Sequence, residues 1–149
     1  MQRIKIDLPE KFIYSTEISV RISDINYGGH LGNDSVLSIL QEARIRFLSK
    51  YNFSEKNVDG FGIIMIDAAV QYKSQGFYGD VLIIELGVDS FSRVSCDFVY
   101  RVTNKETAKE IARAKTGIAF FDYQNNKLVS VPQKFNELID KLTSQISNR

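Results

Sequence analysis

Tryptophan is absent from this chain, and cysteine and histidine occur once each, as Cys96 and His30, among 149 residues. One cysteine excludes an intrachain disulfide. One cysteine with one histidine leaves too few soft ligands for a zinc centre. Neither sign of charge is in excess: 19 basic against 18 acidic side chains give a formal net charge of +1, which argues against a broad electrostatic footprint for nucleic acid. No apolar run approaches the ~20 residues that span a bilayer. The opening stretch MQRIKIDLPEKFIY lacks the apolar core of a signal peptide. What is present is close to a globular average, 44% hydrophobic and 25% charged. We expect one soluble, cytoplasmic domain over 1–149, of a size that buries roughly two-thirds of its unfolded surface without help from metals or disulfides.

The densest polar stretch lies between Val20 and Tyr51. Asp24, Asn26, Gly28, Gly29, His30, Gly32, Asn33 and Asp34 fall within eleven residues. Before them, Ile18, Val20 and Ile22 alternate with Glu17, Ser19 and Arg21, the period of a strand with one buried face, expected over 17–22. After them a helix is expected from Asn33 or Asp34, both good N-caps, to about Lys50. Val36, Leu40, Ala43 and Phe47 form its apolar stripe, widened by Leu37, Ile39 and Leu48; a helix this apolar is expected to be mostly enclosed.

From Gly62 onward the pattern is β. Strands are expected over 63–72 (long and buried), 81–88 (covered on both faces), 94–102 and 111–121, with 127–130 extending the sheet. Pro132 suits the first turn of a final helix, whose stripe is Phe135, Leu138, Ile139 and Leu142; the last residues, 143–149, read as frayed. One long apolar helix followed by several long strands indicates an α+β fold, an antiparallel sheet curled around a helix.

The loop before the helix offers a definite chemistry. A helix N-terminus presents unpaired N–H groups and a partial positive charge, both favourable to a carbonyl oxygen becoming an oxyanion. Nearby acids and amides could orient or deprotonate a water. Each side chain also has a plain structural reading. Asp24 and Asn26 could hold turns, His30 could be a satisfied structural histidine, and Asn33 and Asp34 could be caps. Glu42, set in the apolar helix, could bond loop backbone or activate water. Cys96 reads as a small core residue.

At SDINYGGHLGND and EARIRFL the sequence resembles the hot-dog-fold acyl-CoA thioesterases, in the 4-hydroxybenzoyl-CoA and long-chain acyl-CoA branch. That branch carries a pattern like D-x-D-x-x-G-H-x-x-N followed by a helix with E-A-R. Asp24, Gly29, His30, Asn33, Glu42, Ala43 and Arg44 match it, and Tyr78, Gly79 and Asp80 match the turn that opens a later strand. The resemblance implies a five- or six-stranded antiparallel sheet wrapped around one long central helix. It also implies homodimers or homotetramers with active sites at the subunit interface, and a thioester carbonyl held by the backbone N–H near Asn33. The family's catalytic acid is the second Asp of D-x-D, which is Asn26 here, and an amide is no general base. Asn26 would then orient water while Asp24 or Glu42 supplies the base, with His30 as a further participant. Lys73, Arg93 and Lys115 are the candidates for the CoA phosphates. The resemblance implies no metal or redox cofactor, only a thioester of CoA or acyl carrier protein as substrate. The alternative reading is a non-catalytic protein that binds acyl-CoA or acyl carrier protein. A hot-dog dehydratase or hydratase ranks lower, because no His–acid spacing for β-carbon proton transfer surrounds His30.

Overall fold

A computed structural model describes residues 2–147. In order the elements are β1 (Tyr14–Ser19), a 3-10 turn (Ile22–Asp24), α1 (Asn33–Lys50), β2 (Gly62–Tyr72), β3 (Val81–Asp89), β4 (Ser95–Asn104), β5 (Glu110–Asp122), β6 (Lys127–Leu128) and α2 (Gln133–Ser147). The strands form one antiparallel six-stranded sheet in the order β1-β3-β4-β5-β2, with β6 pairing the end of β5. The sheet is open, and β1 and β2 are its two edges.

Both helices lie on one face of the sheet, because Phe98 of β4 touches each of them. Its ring is 6.2 Å from that of Phe47 on α1 and 6.4 Å from that of Phe135 on α2. Phe47 also meets Tyr14 of β1 at 5.5 Å, and Phe135 meets Phe120 of β5 at 5.3 Å. The expected stripe of α1 is buried in full, with Leu40, Ala43 and Phe47 at 0% exposure. Leu37 and Ile45 are exposed, so the helix is open along one side rather than enclosed.

Four expectations shift. The first strand ends at Ser19, because the Asp24 carboxylate accepts the Arg21 N–H (2.9 Å) and folds 22–24 into a 3-10 turn that turns Ile22 outward. β2 is an edge strand whose Met65, Ile66, Asp67 and Ala68 are exposed, not a buried strand. β3 has one fully buried parity and one half-buried, not two covered faces. The stretch 143–147, expected to fray, continues α2, where the Thr143 hydroxyl donates to the Ile139 carbonyl; positions 148–149 lie outside the described residues.

Candidate active site

The polar loop is closed on itself. The Asn26 N–H donates to the His30 carbonyl (2.8 Å), and the Asn26 side-chain oxygen accepts the N–H groups of Gly28 (2.9 Å) and His30 (3.2 Å). Gly29 takes a φ of +85°, which suits glycine at the tip. Leu31 donates to the Gly76 carbonyl (2.8 Å), which ties the loop to the turn after β2. The His30 ring stands edge-on to Phe77 at 5.4 Å.

Asn33 is the first helical residue of α1, so the N-cap position falls on Gly32, which has no side chain to satisfy the helix end. The expected capping by Asn33 or Asp34 is therefore displaced by one residue. Gly32 fits there because its N–H is already bound to the Asp24 carbonyl (2.9 Å) and its carbonyl accepts the Val36 N–H (3.2 Å). Among the described residues, the backbone N–H groups of Asn33, Asp34 and Ser35 donate to no protein acceptor. The first of these residues, Asn33, borders a hollow of about 390 Å3 that Asn26, His30, Leu31, Tyr72 and Lys73 also line. The Tyr72 hydroxyl, reaching from β2, donates to the Asn33 carbonyl (3.0 Å).

The structure divides the candidates named from sequence. Asn26, His30 and Asn33 share this hollow with Lys73. Asp24 and Glu42 line a different one, of about 280 Å3, against β1. Glu42 follows Asn33 by nine residues, which places it about 180° around the helix. There it pairs with Arg46 (2.9 Å), and Arg46 in turn donates to Thr16 Oγ1 and the Glu17 carbonyl, clamping α1 to β1. Asp24 is buried and bound to Arg21. Of the basic candidates, only Lys73 reaches the hollow, where it also lies 3.9 Å from Glu110. Arg93 sits at the far end of the sheet, beside Ser130. Lys115 is held by Asp67 (2.9 Å) and Asp97 (3.6 Å), on the face opposite its buried neighbour Thr116.

One polar chain was not singled out from sequence. Arg44, 3% exposed, donates from Nε to Glu55 (3.0 Å) and from Nη1 to the Tyr100 hydroxyl (3.0 Å). Tyr100 and Thr116 share a hydrogen bond of 2.9 Å, and Gln41 donates to the second oxygen of Glu55 (3.1 Å). Burial works against the Arg44 charge, but Tyr100 and Glu55 outweigh it and hold the guanidinium above its ordinary value. The signal in the sequence was the arginine itself, on the apolar side of the helix, where an unpaired cation is not tolerated.

Residues 20–139 match the model of the thioesterase-like superfamily. A 1,4-dihydroxy-2-naphthoyl-CoA hydrolase of Synechocystis sp. is 25% identical over 131 residues, 85% of this chain and 94% of that protein. A protein of Aquifex aeolicus with a provisional esterase assignment is 28% identical over 130 residues, 86% of this chain and 97% of that one. Among solved structures, a 1,4-dihydroxy-2-naphthoyl-CoA thioesterase from Synechocystis superposes with a TM-score of 0.79 at 23% identity, covering 87% of this chain and 97% of its own. A DHNA-CoA thioesterase from Staphylococcus aureus gives 0.74 at 20% identity, covering 90% of each. These superpositions establish the shared fold.

Proposed function

This chain belongs to the thioesterase-like superfamily, and from that premise we propose that it is an acyl-CoA thioesterase, converting a thioester and water to a free acid and a thiol. The observation that carries the reading is the start of α1, where three backbone N–H groups are unbound among the described residues and the first of them belongs to Asn33, which borders a hollow. The thioester carbonyl oxygen accepts the amides near Asn33, where donors and helix dipole favour the charge that develops on it. Water adds to the carbonyl carbon, the carbon–sulfur bond breaks, and the sulfur leaves as the CoA thiol. His30, the imidazole on the same hollow, is the preferred group to take the water's proton and return it to the sulfur. The Asn26 amide nitrogen orients the water, since its oxygen is engaged by the loop. Asp24 and Glu42 rank behind His30, because both are ion-paired in another hollow. Lys73 is the proposed partner for a CoA phosphate. No resident metal or redox group enters this scheme, which needs only water.

The arrangement of the edges supports a homodimer. β2 presents an unpaired backbone edge with Met65 and Ile66 exposed at 47% and 57%, a surface suited to pairing with a second copy. A lone cysteine that is buried fits a reducing, cytoplasmic setting. Among the described residues no helix is long and apolar enough to cross a membrane. The Synechocystis relative acts on a 1,4-dihydroxy-2-naphthoyl thioester, so aromatic acyl-CoAs head the substrates to assay.

Thiol release from a panel of aromatic and aliphatic acyl-CoAs tests the proposal. His30→Gln is expected to lower kcat by about 100-fold. Full turnover in a His30→Gln, Asn26→Ala double variant would refute the assignment. Binding of acyl-CoA without any thiol release would favour the non-catalytic alternative.

A further inference from the structure

One carboxylate at the candidate site has no partner. Asp34, the second residue of α1, is exposed and forms no hydrogen bond or ion pair among the described residues. Its side chain folds back from the helix onto the loop. One carboxylate oxygen lies 2.6 Å from the point where a side chain on Gly32 would begin, and the Asn26 Cβ lies 3.5 Å from that same point. Gly32 has a φ of −69°, which any residue adopts, so the backbone does not require glycine there; its bare Cα leaves room for this carboxylate. Asn26 also neighbours the imidazole, since the Asn26 Oδ1 and the His30 Nδ1 lie 3.4 and 3.6 Å from the corresponding point on Gly28. Tyr72, across the hollow's lining, senses the charge: partial burial, and after it the negative charge of Asp34, raise its hydroxyl above the ordinary value. The Asp34 carboxylate thus stands beside two residues that line the hollow, Asn26 and Tyr72.

Resting on the thioester reading above, we infer that Asp34 is a further catalytic residue, the second acceptor for the hydrolytic water. The water donates one hydrogen to His30 and the other to the Asp34 carboxylate, and it accepts a hydrogen bond from the Asn26 amide nitrogen. One lone pair is left facing the thioester carbon. As the carbon–oxygen bond forms, His30 takes the first proton, and that proton goes to the sulfur as the carbon–sulfur bond breaks. The hydrogen held by Asp34 stays on the new oxygen and leaves with the acid product. The carboxylate adds what an imidazole and an amide lack. Its full negative charge strengthens the hydrogen bond to the water. It also favours the imidazolium that forms when His30 takes the proton. Gly32 enters the same scheme, because a methyl group there would displace the carboxylate from its place beside Asn26.

The test is thiol release from the acyl-CoA panel, read as kcat and KM separately. Asp34→Asn keeps the shape of the side chain and removes its charge. It is expected to lower kcat by about 10- to 100-fold, with KM and the far-UV circular dichroism unchanged. Gly32→Ala is expected to lower kcat comparably. Made on top of Asp34→Asn, the same Gly32→Ala change is expected to cost less than about twofold, because both act through one carboxylate. A kcat that Asp34→Asn leaves unchanged or raises overturns the inference: a carboxylate that merely neighboured the helix-start amides would oppose the oxyanion, and its removal would help. A Gly32→Ala variant with the wild-type kcat, or a Gly32→Ala loss that persists in full in the Asp34→Asn background, overturns it as well. No thiol release by the wild type from any acyl-CoA removes the hydrolytic reading and this inference together. A loss on His30→Gln with none on Asp34→Asn removes this inference alone.

Discussion

Asn33 is the residue at which the candidate chemistry is most exposed to test. It is the first position of α1, where a missing N–H costs a helix little. The preceding Gly32 already holds extended angles, φ −69° and ψ 145°, compatible with a following proline. Asn33→Pro therefore deletes the proposed oxyanion donor while the fold persists. Thiol release should fall by roughly 100- to 1000-fold, about 3 kcal/mol of transition-state stabilisation, with far-UV circular dichroism unchanged. Cys96 gives a second test at this scale. Burial pushes its thiol well above the ordinary range. The unfolded thiol ionises near pH 8.5 while the folded one stays protonated. Its contribution to stability is thus intact below about pH 8.5 and lost as pH rises beyond it, by about 1.4 kcal/mol per unit. Urea midpoints measured from pH 8 to 10 should fall more steeply for the wild type than for Cys96→Ala. Single residues were legible in the sequence where chemistry is local. The loop motif, the helix-start amides and the buried cysteine all needed only neighbouring residues to be read. The placement of Glu42 on the side of α1 away from Asn33 was also legible from spacing, since nine residues turn a helix by half a revolution. That of Lys115 was not, because its engagement depends on Asp67 and Asp97, which only strand pairing brings near.

At the scale of elements, Phe135 is the aromatic anchor of α2 in the core, beside Ile139 and Leu142. Phe135 is fully buried and meets rings from Phe53, Phe91, Phe98 and Phe120 at 5.3 to 6.4 Å. Phe135→Ala removes the shared member of all four contacts and leaves a cavity beneath the helix. A loss of about 3–5 kcal/mol is expected from chemical denaturation. The period-three-and-four stripe made both helices readable, since every apolar residue at that spacing finds one surface to cover. Strand ends were less readable. Val20 and Ile22 continue the alternation of β1, yet a carboxylate three residues after Arg21 turns the chain, and a local hydrogen bond prevails over the pattern.

For the whole molecule, β2 presents the main disagreement between composition and placement. Its run of Ile, Met, Ala and Val reads as buried, and in one copy much of it faces solvent. What covers a sheet edge is decided by topology and by partners, neither of which local pattern encodes. A second copy along this edge would reconcile the two. Ile66→Lys, at a position 57% exposed, should leave a folded chain of nearly unchanged intrinsic stability but elute as a monomer under light-scattering detection.

The hydroxyl of Tyr72 fastens that same outer strand to the first residue of α1. Anything that steadies one end of this link steadies the other. If two copies share the strand, then catalytic competence becomes a property of the pair, and turnover per mole of chain falls as the protein is diluted through its dissociation constant. A reaction rate that scales strictly linearly with protein, from nanomolar to micromolar, would separate the two.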